Sequence, residues 1–361
     1  MDSSTFDFLS TLLATQSVSG FEQTAARIVR RRLEPFADDI RTDIHGNTDF
    51  ILNPGGSPRV MLAGHIDQIG FLVNHVTEKG FIHLAAVGGI DLAVLPGLRL
   101  TVHGRHGAVP GVLGRKAVHL MKPEERDNAK KLELSDMWLD IGAADRAAAM
   151  EKIDIGDPVT FSLGITRLGE DLIAGPALDD KVGVFVVAEA LRLLAERRGR
   201  ERDSVRCEVH AVATVQEEIG LRGAHTAAFG IDPAVGIAVD VGHSSDYPTA
   251  DERLAGSIKL GQGPIVHIGA NINPKLGAIM ASAGERASIA VQKHAVGRAT
   301  GTDANAMQVS RSGMATSLVS LPCRYMHTPV EVVSLSDLDA AAKLIAETVA
   351  GIDRETSFIP E

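Results

Sequence analysis

A chain of 361 residues exceeds one ordinary hydrophobic core and implies a large domain with a smaller one beside it. Its 45% hydrophobic and 23% charged residues exclude disorder as the main state, and a net charge of -10 supplies no basic field for nucleic acid or an anionic membrane. Divalent cations are easier partners for such a chain. Cys207 and Cys323 stand far apart, so neither a disulfide framework nor a thiolate cluster is expected. Met1–Thr5 lacks a basic signal-like start and no apolar run reaches membrane-spanning length, which makes a reducing cytoplasm the expected compartment.

In chain order, Phe6 to Ala14 and Phe21 to Phe36 read as helices, the second introduced by Ser19-Gly20-Phe21-Glu22 in the form of a capping box. Ile40 to Asp43 and Thr48 to Leu52 read as paired strands across Gly46-Asn47, and Arg59 to Gly64 as a buried strand that delivers His65 and Asp67 on one face. From Phe71 to Leu163 the texture changes to glycines and β-prone runs (Phe81 to Val87, Leu98 to Val102, Val109 to Leu113), with short helices expected at Pro123 to Leu132 and Asp145 to Lys152.

Beyond it strands and helices alternate again: Thr166 to Ala174 extended, Lys181 to Arg197 helix, Val205 to Val215 strand, a helix after Gly223 and Ala234 to Val241 strand. There follow strands at Ser257 to Leu260, Ala287 to Val291 and Thr316 to Ser320, with helices at Pro274 to Ala283, Ala304 to Ser312 and Leu335 to Val349. The expected fold class is α/β, a mixed, mostly parallel sheet flanked by helices. Residues 1–70 and 164–361 would form this discontinuous domain, and 71–163 a small β-rich insert.

Asp179 and Asp180 open a helix, where an N-cap and a complement to the helix dipole would explain both. Yet His65 and Asp67, Glu217 and Glu218, Asp240 and His327 also stand at strand ends or in the loops that follow, where α/β proteins build their sites. Asp67 is placed to hold the second nitrogen of a metal-binding His65 ring. Glu217 and Glu218 are either a solvated acidic loop or a pair that divides labour between a metal and its water. Asp240 ends an apolar strand, where an acid needs a partner or a cation. His65, Asp179, Glu218, Asp240 and His327 together make a nitrogen and oxygen set suited to two zinc, cobalt or manganese ions bridged by one carboxylate, each keeping an open position.

The chain resembles, over nearly its whole length, the cytosolic dinuclear metallo-aminopeptidases that form tetrahedral particles, the glutamyl and deblocking aminopeptidase group. The resemblance rests on Gly64-His65-Ile66-Asp67-Gln68-Ile69-Gly70, Gly175-Pro176-Ala177-Leu178-Asp179-Asp180-Lys181, Val215-Gln216-Glu217-Glu218-Ile219-Gly220, Asp240-Val241, Gly301-Thr302-Asp303-Ala304 and Arg324-Tyr325-Met326-His327-Thr328-Pro329-Val330-Glu331. It implies a zinc-peptidase-like domain with a PDZ-like barrel inserted at 71–163 for dimerisation, the dimers building a dodecamer. It implies one ion on His65, Asp179 and Asp240 and a second on Asp179, Glu218 and His327, with Asp67 orienting His65. The implied reaction removes N-terminal residues from peptide substrates, with a water between two divalent ions (zinc or cobalt, with manganese an alternative) as nucleophile and Glu217 as general base. Gln68, Lys181 and Thr328 replace the family's usual Glu, Arg and Ser; none is a ligand, so metal binding stands and fine specificity is left open.

The same donors would also serve dinuclear deacylases or carboxypeptidases. A glycoside hydrolase using two carboxylates and a non-catalytic assembly protein are more distant alternatives. Asp303 reads either as part of a helix N-cap or as a residue facing substrate.

Overall fold

The computed structural model describes residues 1–122 and 132–361, so the helix expected at Pro123 to Leu132 lies, but for Leu132, outside the described residues. The strands are β1 (Asp39–Thr42), β2 (Thr48–Leu52), β3 (Arg59–His65), β4 (Gly70–Val76), β5 (Ile82–Val87), β6 (Arg99–Gly104), β7 (Gly107–Arg115), β8 (Met137–Asp140) and β9 (Pro158–Phe161). They continue with β10 (Thr166–Leu168), β11 (Leu172–Gly175), β12 (Glu208–Thr214), β13 (Val235–His243), β14 (Ile265–Gly269), β15 (Gln292–Val296), β16 (Ala315–Cys323) and β17 (Glu331–Ser334). The helices are α1 (Ser3–Ala14), α2 (Gln23–Leu33), α3 (Arg146–Met150), α4 (Leu178–Arg200), α5 (Arg222–Ile231), α6 (Glu252–Ala255), α7 (Pro274–Arg286), α8 (Asp303–Gln308) and α9 (Leu335–Ala350).

Two compact units result, Met1–Asp67 with Ile165–Met326 and Val330–Glu361, and Gln68–Gly164 with His327–Pro329. The first holds an eight-stranded mixed sheet in the order β1-β2-β12-β3-β13-β16-β14-β15. Its centre, β12-β3-β13-β16, is parallel throughout, while β1, β2 and the β14–β16 pairing add antiparallel edges. Strand β3 shows why helices cover both faces. Val60 and Leu62 enter one core with Leu9, Phe185 and Leu338, whereas Met61 and Ala63 enter a second with Ala224, Ala228, Ala304 and Met307. That alternation is the two-residue period of a strand buried on both sides.

Helix α4 packs on β3, β12, β13 and α9 and is buried nearly all round over its first half, which is why its apolar residues lack a narrow stripe. Backbones come close at one point: a Cβ on Gly64 would lie 2.7 Å from the Gly183 carbonyl carbon, so only glycine allows strand and helix to touch there. A small sheet, β10-β11-β17, completes the unit. The second unit is a closed six-stranded antiparallel barrel, β4-β5-β8-β7-β6-β9, filled by Phe71, Val73, Leu100, Val102, Leu139 and Val159.

Three expectations need correction. Ser257 to Leu260 is not a strand, because the amides of Ile258, Lys259 and Leu260 are taken by Ser245 Oγ, Gln292 Oε1 and Asp246 Oδ2 instead of by a neighbouring strand. Ala287 to Val291 is the turn that follows α7, the Ile289 amide donating to the Gly284 carbonyl, and the strand begins only at Gln292. The capping box is absent: α2 starts at Gln23, its N-cap Glu22 makes no side-chain cap bond, and the Ser19 hydroxyl donates elsewhere.

On β12, His210 is nearly buried between two carboxylates, Nδ1 2.9 Å from Asp49 Oδ2 and Nε2 3.0 Å from Glu208 Oε1. Burial opposes the imidazolium, but these two acids outweigh it and raise the ring above its ordinary value. A raised folded pKa gives stability that is complete below the unfolded value near 6.5 and lost as pH climbs through the folded one. His210→Ala should therefore cost about 1.5–3 kcal/mol at pH 5.5 and less at pH 9, read from urea unfolding; an equal cost at both pH values would contradict the charged pairing.

Candidate metal centre

The parallel register carries the acids to one rim of the first unit. His65 ends β3 beside Thr214, the last residue of β12, and three residues on stands Glu217. Strand β13 pairs with β3 as far as Ala238–Ala63, so Asp240 lies two residues further toward the same end. Asp179 and Asp180 arrive from the turn after β11, both in non-helical conformation, with regular helix beginning after them.

His65 is the centre of this group. Its Nε2 stands 3.1 Å from Asp179 Oδ1, 3.8 Å from Glu217 Oε2 and 4.0 Å from Asp240 Oδ1. On the opposite edge, Nδ1 is 3.2 Å from the Asp67 carbonyl oxygen and 3.4 Å from Asp67 Oδ1, so a proton on Nδ1 leaves the Nε2 lone pair facing the acids. Two sets of donor atoms, His65 with Asp179 and Glu218, and His65 with Glu217 and Asp240, each lie within 4.8 Å of one another.

The electrostatics of these groups suit a divalent cation. Burial pushes Glu218 up to about 10, helped by Asp179, and Glu217 up to about 7, where His65 works against the rise and Asp303 and Asp179 add to it. Asp240 and Asp180 are held well above the usual carboxylate range, first by burial and then by neighbouring carboxylates, with His65 opposing. So many buried acids around one imidazole repel each other unless protons or cations intervene, and hard oxygen donors with one nitrogen match a divalent ion.

Asp67 behaves differently. Burial would raise it, yet bonds from His65, the Ser19 hydroxyl and the Glu217 amide hold it below the ordinary range. Its Oδ1 accepts the Glu217 amide at 3.0 Å, and its Oδ2 accepts the Ser19 hydroxyl at 2.6 Å and the Glu218 amide at 3.2 Å. One carboxylate thus fixes both the histidine and the loop bearing the glutamates.

Several residues around the centre do work that sequence reasoning did not assign them. Asp180 Oδ2 accepts the His65 amide at 3.2 Å and its Oδ1 the Gly183 amide at 3.1 Å; a Cβ on Gly183 would fall 2.2 Å from Asp180 Oδ2. Glu331, fully buried, accepts the Asp179 amide at 3.1 Å. Lys181, also fully buried, donates to the Thr15 carbonyl, and burial lowers it to about 7 against the pull of Glu331. Asp303 is buried at the start of α8, takes the Thr214 hydroxyl at 2.5 Å through Oδ2 and is pushed up to about 6 by burial. The signal for Asp180 and Glu331 lay in the motifs themselves, as acids next to an expected ligand or just beyond one.

His327 is not in either donor set. It is half-buried, with φ at +62°, and its segment groups with the barrel, where Nδ1 would lie 3.2 Å from a Cβ on Gly89. His65, Asp179, Glu217, Glu218 and Asp240 are brought together in the first unit.

Comparison with known proteins gives a consistent result. A family model described as M42 glutamyl aminopeptidase matches residues 47–344. The chain is 36% identical over 341 residues to the lysyl aminopeptidase of Pyrococcus furiosus, covering 94% of this chain and 95% of that one. It is similar to the crystal structure of a TET aminopeptidase from a marine-sediment Thaumarchaeota archaeon, with a TM-score of 0.92 and 31% identity over 98% of this chain and 99% of that one. The TET1 peptidase of Pyrococcus horikoshii, which can assemble into a tetrahedron or a large octahedral shell, matches with a TM-score of 0.82 and 28% identity over 95% and 98% of the two chains.

Proposed function

From the premise that the chain belongs to the M42 glutamyl aminopeptidase family, we propose that it is a metal-dependent aminopeptidase that removes N-terminal residues from unblocked peptides. The observation that carries this reading is the buried Nε2 of His65 facing Asp179, Glu217 and Asp240 within 4.0 Å. His65, Asp179 and Asp240 would hold one ion, and Asp179, Glu218 and His327 a second, zinc or cobalt before manganese. His327 is assigned by the family pattern alone. When bound, such ions supply a water of lowered pKa and a Lewis acid for the scissile carbonyl.

The chain's own residues divide the remaining work. Asp67 keeps the His65 proton on Nδ1 and anchors the amides of Glu217 and Glu218. Glu217 accepts the proton of the attacking water and returns it to the leaving amine. Its neighbour Glu218, which lies within donor reach of His65 and Asp179, serves as ligand. A deacylase acting on N-acylated amino acids uses a similar donor set; the relatives named as aminopeptidases favour free amino termini.

The inserted barrel is proposed to mediate self-association toward a dodecamer in a cytoplasmic particle, supported by the assembly of the P. horikoshii relative. Light scattering at micromolar concentration should then show a large oligomer, and a stable monomer of the native chain would contradict it.

The two glutamates give the sharper test. Glu217→Gln should keep both metals and lose roughly 10²-fold to 10⁴-fold in turnover of aminoacyl p-nitroanilides, whereas Glu218→Gln should lose one metal and regain part of its activity in excess metal. Metal content measured beside turnover decides. Since Glu217 also falls in a donor set, loss of an ion from Glu217→Gln would reassign it as a ligand, and near-normal turnover would remove it from the mechanism.

A further inference from the structure

The connection between α1 and α2 was read from the sequence as a helix cap, and it does something else. Ser17, Val18, Ser19 and Glu22 are buried. Ser19 Oγ donates to Asp67 Oδ2 at 2.6 Å, 48 residues away, and Glu22 Oε1 accepts the Gly20 amide at 2.7 Å and the Gln216 amide at 3.3 Å, the latter 194 residues away. Neither side chain caps the helix that follows.

We propose that this connection is a clamp on the loop carrying Glu217 and Glu218, with Ser19 and Glu22 as positioning residues for both glutamates. Three consecutive amides are tied down: Gln216 by Glu22, Glu217 by Asp67 Oδ1 and Glu218 by Asp67 Oδ2. Ser19 acts through Asp67. Its hydroxyl fixes the oxygen that also takes the Glu218 amide, and it is the donor that arrives from outside the His65 strand and the glutamate loop.

The loop needs such restraint because Gln216 sits at φ +56°, a left-handed conformation sparsely populated by residues other than glycine. It persists only where the surroundings over-determine it. Released, the segment after β12 would relax toward extended backbone, and because successive side chains of an extended chain face opposite ways, the two carboxylates could no longer both reach His65, as they do here. Glu22 is needed as an acceptor at Oε1, a role that a glutamine can fill; Ser19 is needed as a donor, a role that a threonine can fill.

The effect on turnover rests on the proposed function, but the effect on the loop does not, so both are measured. In the metal-loaded full-length chain, Ser19→Ala and Glu22→Leu should lower kcat on aminoacyl p-nitroanilides by about 10-fold to 100-fold, the usual cost of removing an outer support of a metal site, with KM and metal content little changed. Ser19→Thr and Glu22→Gln should restore most of it. In hydrogen exchange on the metal-free chain, the amides of 216–218 should exchange about tenfold faster in the first two variants and at the native rate in the conservative pair. Native exchange in Ser19→Ala overturns the clamp whatever happens to kcat. Faster exchange in a chain whose wild type hydrolyses no peptide keeps the clamp and removes the aminopeptidase reading. Should Ser19→Ala fail to fold, Ser19→Cys keeps the volume with a weaker donor; intermediate exchange supports the clamp and native exchange overturns it.

Discussion

The carboxylate of Asp67 is the contact on which the rest of the site depends. A buried ionised acid is costly unless donors surround it, and Asp67 has the imidazole of His65, the hydroxyl of Ser19 and the amides of Glu217 and Glu218. Those donors come from three stretches far apart in sequence. Holding one charge satisfied therefore brings the end of β3, the loop after β12 and the α1–α2 connection into a single arrangement, and losing it would strand several buried donors at once.

Around this anchor the sheet supplies direction. Parallel central strands discharge His65, Glu217 and Asp240 at one end, and the close approach of Gly64 to Gly183 lets α4 present Asp179 and Asp180 there too. Asp180 binds the His65 amide and Glu331 the Asp179 amide, so backbone groups of the histidine and of its nearest acid are themselves held by buried carboxylates. Acids accumulated at such density repel one another unless protons or cations intervene, and their donor set suits a divalent ion.

Much of this was legible in the sequence because it is written in local signals. The apolar runs that became β3, β12, β13 and β16 announce strands buried on both faces, and an acid or histidine at the end of such a run stands out. What failed to show is what depends on distant partners. Ser19 and Glu22 match a cap pattern within four residues, while their bonds run to Asp67 and Gln216. Asp303 does begin α8, but its side chain takes the Thr214 hydroxyl 89 residues away. Strand β15, with Gln292, Lys293 and His294, is a polar edge that a search for apolar runs passes over, and Ser257 to Leu260 has strand-like composition whose amides side chains have claimed.

The most direct test of the account is anomalous diffraction at the zinc edge from crystals of the zinc-loaded protein. Two peaks are expected, sharing Asp179, with His65 Nε2 about 2.0–2.1 Å from one of them and Glu217 bound to neither. A single peak, or two peaks that do not touch Asp179, would contradict a dinuclear centre built on these residues.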